Sequence, residues 1–159
     1  MNKTKRFAFY AASLAVLFTA CDRSVIYNAY KPIPFTGWNK DSAAVFSVSI
    51  TDSVSTHNVY INLRNNSSYP YCNIYLFVKA ISPAGDVAGD TVEYMLTDAY
   101  GRWYGKGFSK VIDNRLAFRK FVRFPSKGMY RFEIKQGMRN DILPEISDVG
   151  LRIERVDGQ

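Results

Sequence analysis

Histidine is almost missing from this sequence. Its 159 residues hold one, His57, in the polar stretch Asp52-Ser53-Val54-Ser55-Thr56-His57-Asn58, which reads as a loop. A metal centre draws on several His, Cys or carboxylate ligands, and a nucleophilic triad needs a base oriented by an acid beside a nucleophile. No such set stands at a telling spacing, so neither chemistry finds support. Cysteine is nearly as scarce, with only Cys21 and Cys72, which bars a disulfide framework. No block of five like charges occurs, so the electrostatic footprint of a nucleic-acid binder is missing. No apolar run reaches the roughly 20 residues of a spanning helix. Internal repeats and low-complexity tracts are also lacking.

What is present begins at the front. Lys3, Lys5 and Arg6 precede an apolar run from Phe7 to Phe18, and Thr19 and Ala20 lead into Cys21. A basic stretch, a short apolar stretch and small residues at a cleavage point make an export signal. A cysteine directly after the small residues resembles the lipobox of bacterial lipoproteins, with Phe18 where an aliphatic residue is usual. In that family the thiol takes a diacylglycerol as a thioether, the signal is removed before the cysteine, and the new amino terminus is acylated. Two or more chains give stable anchoring where one gives only marginal binding, at about 0.8 kcal/mol per buried CH₂. Cys21 is therefore the expected lipidation site. Without Lys3, Lys5 and Arg6, the 21 basic residues fall to 18 against 14 acidic.

From Ala44 onward the apolar period is two. Phe46, Val48 and Ile50 alternate with polar neighbours. So do Val59, Ile61 and Leu63; Cys72, Ile74, Leu76, Val78 and Ala80; Val92, Tyr94 and Leu96; Leu116, Phe118 and Val122; Tyr130, Phe132 and Ile134; and Val149, Leu151 and Ile153. With the short glycine-rich run from Trp103 to Phe108, this makes about eight strand-like segments separated by turns. Strands without intervening helices pair antiparallel. The expected fold is an all-β antiparallel β-sandwich, Ig-like or jelly-roll-like. Gly137 to Leu143, bounded by Pro144, is the one candidate helical turn. The chain divides into a signal peptide (1–20), a lipidated N-terminus and extended tether (21–40), and the β-sandwich domain (41–159). Pro32 and Pro34 argue for the extended tether.

Several residues invite functional readings. Arg115, Arg119 and Arg123 fall on one face of a predicted strand together with Phe121, with Lys127 beyond. Such a strip suits an acidic partner, a polysaccharide or lipid headgroups, or serves as a solvated face guarded against edge pairing. Trp38, Tyr100, Trp103 and Tyr104 could build a sugar-stacking platform, or act as core plugs and loop anchors. Asp86, Asp90, Glu93 and Asp98 form an acidic patch in sequence. It would suit glycoside hydrolysis or calcium if gathered, but turn chemistry accounts for Asp86 and Asp98. Cys72 is expected as a small buried hydrophobe; as a nucleophile it would need His57. No catalytic residue, metal or cofactor is assigned.

One resemblance covers nearly the whole mature chain. Its parts are the lipobox cysteine, Tyr27, Trp38, Leu63-Arg64-Asn65-Asn66, Tyr69-Pro70-Tyr71 and Asn73-Ile74. They continue through Asp90-Thr91-Val92-Glu93-Tyr94, Leu96, Asp98, Gly101, Trp103, Gly105 and Gly107. Gly128-Met129-Tyr130, Ile134, Gln136-Gly137-Met138-Arg139 and Asp148-Val149-Gly150-Leu151-Arg152-Ile153-Glu154 complete it. In this order and spacing they resemble the gliding-motility lipoprotein family GldH. The resemblance implies a non-enzymatic envelope component tied to the motility apparatus and its associated protein-secretion system. It also covers bacteria that do not glide, and it names no active site. The expected partners are the membrane, through the lipid on Cys21, and other envelope motility or secretion proteins, with a glycan as the alternative. The expected location is membrane-anchored and facing the periplasm.

Overall fold

A computed structural model describes residues 24–156; Cys21 and the acylation expected on it lie outside that range. The described chain is built of eleven strands: β1 (Val25–Pro32), β2 (Trp38–Asn39), β3 (Ala44–Ile50), β4 (His57–Asn66), β5 (Asn73–Ile81), β6 (Val87–Met95), β7 (Lys106–Phe108), β8 (Val111–Val122), β9 (Gly128–Gln136), β10 (Ile142–Leu143) and β11 (Ile146–Arg155). A five-stranded sheet runs β1-β11-β4-β8-β7, a four-stranded sheet runs β3-β9-β5-β6, and β2 pairs with β10. Every pairing is antiparallel. The all-β antiparallel sandwich read from the alternation is the fold.

The core forms because alternate residues of each strand are apolar and share one face of the pleat. In β3, Ala44, Phe46, Val48 and Ile50 point inward while Ser47 and Ser49 stay exposed. Ile74, Leu76 and Val78 of β5 and Tyr130, Phe132 and Ile134 of β9 extend that layer. Val59, Ile61 and Leu63 of β4 and Val149, Leu151 and Ile153 of β11 close it from the facing sheet. Each such fully buried large side chain contributes roughly 1.5–3 kcal/mol relative to exposure.

Four local expectations are corrected. Val25–Pro32 and Trp38–Asn39, expected within an extended tether, form β1 and β2 of the fold. Val25, Tyr27 and Ala29 alternate with more exposed neighbours, and Pro32 is tolerated as the last residue of an edge strand. Gly137 to Leu143 makes bends and β10 rather than a helical turn. His57 opens β4 and is buried rather than lying in a loop. Cys72 is exposed at a bend before β5, so the inward face of that strand starts at Ile74.

The sandwich has two distinct ends. The near end collects Ser24, the close of β11, the start of β4, the close of β8 and the connections 51–56, 82–86 and 123–127. The far end collects the connections 33–43, 67–72, 96–105 and 137–145.

Candidate functional site

At the far end, loops are fixed by buried amides. Gln136 is buried; its side-chain amide donates to the Asn140 carbonyl (2.7 Å) and accepts from the Met138 N–H (2.7 Å). Gly137 donates its N–H to the Tyr75 carbonyl at 2.7 Å. A Cβ there would lie 3.1 Å from the Phe77 ring, so glycine lets the loop approach β5 without displacing that ring. The Tyr71 hydroxyl donates to Asn140 at 2.7 Å. Asn114 donates to the Leu63 carbonyl (3.1 Å) and to Asn65 Oδ1 (2.8 Å), all within the protein. Asn66 and Ser68 both donate to the Glu145 carboxylate, at 2.8 and 3.0 Å. Tyr69 packs edge-on to Tyr71 and beside Trp103, and burial pushes its hydroxyl pKa upward.

From this base aromatic side chains project into solvent. Phe35 is fully exposed, Tyr100 is 86% exposed and Tyr104 is 65% exposed. Asp98 accepts from the Tyr100 and Arg102 N–H groups at 2.8 and 2.9 Å, fixing the turn that presents Tyr100. The Arg102 backbone N–H contributes most to holding the Asp98 carboxyl below its usual pKa. Gly101, at φ 78°, supplies the left-handed residue the turn requires.

A second surface continues down the outer face of the five-stranded sheet. Arg64 lies 4.0 Å over the Tyr30 ring and donates to Asp113 at 3.0 Å. That bond is the main reason its guanidinium pKa is raised. Asn62 donates to Asn28 at 3.2 Å, and Arg115 sits 3.7 Å from Glu154. Gly150 lets Tyr30 lie flat, since a Cβ there would come within 2.9 Å of both that ring and the Ala29 carbonyl. The result is a preordered polar groove of about 520 Å³, lined by Asn28, Tyr30, Asn62, Tyr104, Lys106 and Arg115 among others. An apolar cleft of about 320 Å³ lies between β6 and the second half of β8, with Phe118, Val122 and Phe124 in its wall. The Tyr94 hydroxyl donates to the Ala117 carbonyl at 3.0 Å, joining the sheets beside it, and burial pushes Tyr94 up to about 12.

Residues 25–153 match the GldH lipoprotein family. The chain belongs to that family. It is 38% identical over 149 residues to the gliding motility lipoprotein GldH homolog of Christiangramia forsetii, covering 89% of this chain and 91% of that protein. It is 35% identical over 150 residues to gliding motility lipoprotein GldH of Flavobacterium johnsoniae, covering 90% and 92%. Among solved structures, a family GH115 4-O-methyl-α-glucuronidase aligns at a TM-score of 0.41 and 12% identity, covering 86% of this chain and 18% of that enzyme.

For this GldH-family chain, the residues singled out in the sequence do not form one site. Trp38 is buried at the far end, its indole N–H donating to the Ser42 carbonyl at 3.0 Å, so it is a core plug and no part of a platform. Trp103 is half-buried beside Tyr69, and only Tyr100 and Tyr104 of that set stand free. The basic strip is broken by register shifts in β8 opposite His57, Val59 and Tyr60. Arg115 faces the groove, Arg119 pairs with Asp90 of the other sheet, and Phe121 turns outward at φ 54°. The acidic patch disperses: Asp86 bonds Ser82, Glu93 bonds Asn73, and Asp98 closes its own turn. Among the described residues, no three His, Cys, Asp or Glu side chains cluster to hold a metal. The groove of Asn28, Tyr30, Asn62 and Asp113, backed by Arg64 over the Tyr30 ring, was missed because β1 read as tether. The signal was there in β4, where Asn62 and Arg64 alternate with Ile61 and Leu63.

Proposed function

We propose that this chain is a gliding-motility lipoprotein of the cell envelope that acts as a tethered, non-enzymatic interaction module. Cys21 carries the lipid, and the far end with the adjoining groove receives protein partners of the motility and secretion machinery. One observation carries the reading: the chain enters the sandwich at the near end, while Phe35, Tyr100 and Tyr104 stand out at the other. Exposed aromatics on a rigid base are the usual anchors of protein interfaces. Ten-residue strands such as β4 span about 33 Å, so the aromatics are held at roughly that height above the lipid. The module faces the periplasm.

The test is a pair of photo-crosslinking residues in a gliding host, one replacing Tyr104 and one replacing Ile26. The Tyr104 position gives a discrete product with an envelope motility or secretion protein, and the Ile26 position does not. In the same host, a Phe35→Ser/Tyr104→Ser variant that is folded and acylated impairs spreading or secretion. Normal spreading and secretion in that variant would sink the assignment of the far end.

The polar groove favours a second reading, a glycan ligand held by Tyr30 and Tyr104 with amide and arginine donors around it. A glycan array probed with residues 22–159 separates the two. Silence across envelope and dietary glycans removes the second.

A further inference from the structure

The near end has a surface of its own. Four strand termini lie side by side there, linked by register. Val25 pairs with Glu154, Arg155 with His57, and His57 with Val122. Two more backbone bonds lock this edge, from Arg155 to the Ser24 carbonyl at 2.7 Å and from Val156 to the Thr56 carbonyl at 2.9 Å. Val25 and Val122 are thus three strand spacings apart, about 15 Å.

Around this edge stand exposed apolar side chains and cations. Val54 at the tip of the 51–56 connection is 77% exposed, and Phe121 is 62% exposed. Phe121 adopts a left-handed backbone (φ 54°), and its N–H donates to Asn58 Oδ1 at 3.0 Å. A bulky residue seldom occupies that region, and here the bulge turns the ring out of the sandwich. Lys120, Arg123 and Lys127 flank it, all exposed, and none of the three pairs with a carboxylate among the described residues. Among the described residues the carboxylates nearby are engaged elsewhere: Asp52 by Ser55 and Val54, Asp86 by Ser82, Asp90 by Arg119 and Glu154 by Arg152.

The tether is short. Three residue steps separate Cys21 from Ser24, at most about 10 Å of chain. With acyl chains on Cys21, the first described residue is confined to the headgroup layer, and the near end meets the bilayer. We infer that Val54, Phe121, Lys120, Arg123 and Lys127 form a membrane-docking surface, the two apolar side chains entering the interface and the three cations resting on anionic phospholipid headgroups. The acyl chains on Cys21 hold the domain at the membrane, and a cationic patch beside them orients it there. The inference rests on the acylation of Cys21 proposed above.

The test uses residues 22–159, which retain the whole buried core and carry no lipid. Co-sedimentation is measured up to millimolar lipid with phosphatidylcholine vesicles and with vesicles in which about a third of the lipid is phosphatidylglycerol. Binding is expected only to the anionic vesicles. Replacing Lys120, Arg123 and Lys127 by Gln lowers affinity about a hundredfold, each cation being worth roughly a factor of five. The matched variant, Lys31, Lys110 and Arg139 to Gln at the far end, changes affinity less than about threefold. Phe121→Asn, which tolerates the left-handed backbone, costs roughly tenfold. Equal binding to both vesicle types, or equal loss in the two charge variants, overturns the docking surface. Mass spectrometry of the native amino-terminal peptide separates the two claims. Acylated Cys21 with no vesicle binding rejects the surface alone, and free Cys21 with vesicle binding rejects the tether alone.

Discussion

Replacing His57 with leucine should make the protein more stable and remove much of its pH dependence near neutrality. The side chain is 1% exposed and neither ring nitrogen makes a well-formed hydrogen bond, the Ser55 carbonyl being close enough only to favour the protonated ring. Its ring meets Phe124 edge-on, with centroids 5.3 Å apart. A buried polar atom without a partner costs about 1–3 kcal/mol, and the lost ring contact is worth about 0.5–1.5 kcal/mol. Leucine, of similar volume, therefore gains about 1 kcal/mol, or roughly 3 °C in Tm for a domain of this size. Burial depresses the imidazole pKa below its ordinary 6.5; Asp52 and the Ser55 carbonyl oppose that shift and Arg155 adds to it. Below about pH 6.5 the unfolded chain takes a proton that the folded chain refuses. Stability is thus full above that pH and falls as the pH drops from there toward the depressed value. Asp52, held low mainly by the Ser55 hydroxyl, loses its contribution only at far more acid pH. Urea unfolding of wild type and His57→Leu at about pH 7.5 and 5.5 reads both effects. A destabilised variant, or one that keeps the wild-type slope between those pH values, would refute the reasoning.

Three further outcomes can be checked in the same way. Asn114→Ala leaves Asn65 Oδ1 without its donor inside the protein and should cost about 2–3 kcal/mol in urea unfolding. Gly150→Ala drives a methyl against the Ala29 carbonyl, so β1 must yield; the expected loss is about 1–3 kcal/mol, with faster amide exchange in β1 than elsewhere. Cys72 in folded residues 22–159 should react with a maleimide at a rate close to that of an unstructured peptide thiol, as its exposure requires; a protected thiol would restore the buried reading.

The core was legible because β3, β4, β5, β9 and β11 alternate cleanly, and a period of two has one physical meaning when one face is buried. Recognition of the family rested on motif order, and the 25–153 match bears it out. Less legible were features set by tertiary partners. Cys72 sits in phase with Ile74 and Leu76, yet the chain bends just before β5, so phase alone misplaced it. The polar sequence around His57 hid a buried strand start, because its cover comes from Phe124, far along the chain. The arginines of β8 looked like one strip, but bulges rotate successive residues away from strict alternation. Behind the groove, Tyr30 and Arg64 both bond Asp113 and so join β1, β4 and β8, and no local pattern announces a pairing between segments so distant in sequence.

The place of β1 in the five-stranded sheet sets how the domain bears tension. Its ladder with β11 runs from Val25 to Pro32, and the proposed lipid joins the chain just before it. Pulling between the bilayer and the far loops therefore acts along the strand axis. The ladder bonds are loaded together, in shear, instead of parting one after another as in a zipper. A domain held this way resists extraction far better than one peeled from its edge, and single-molecule pulling from the two ends would measure that difference.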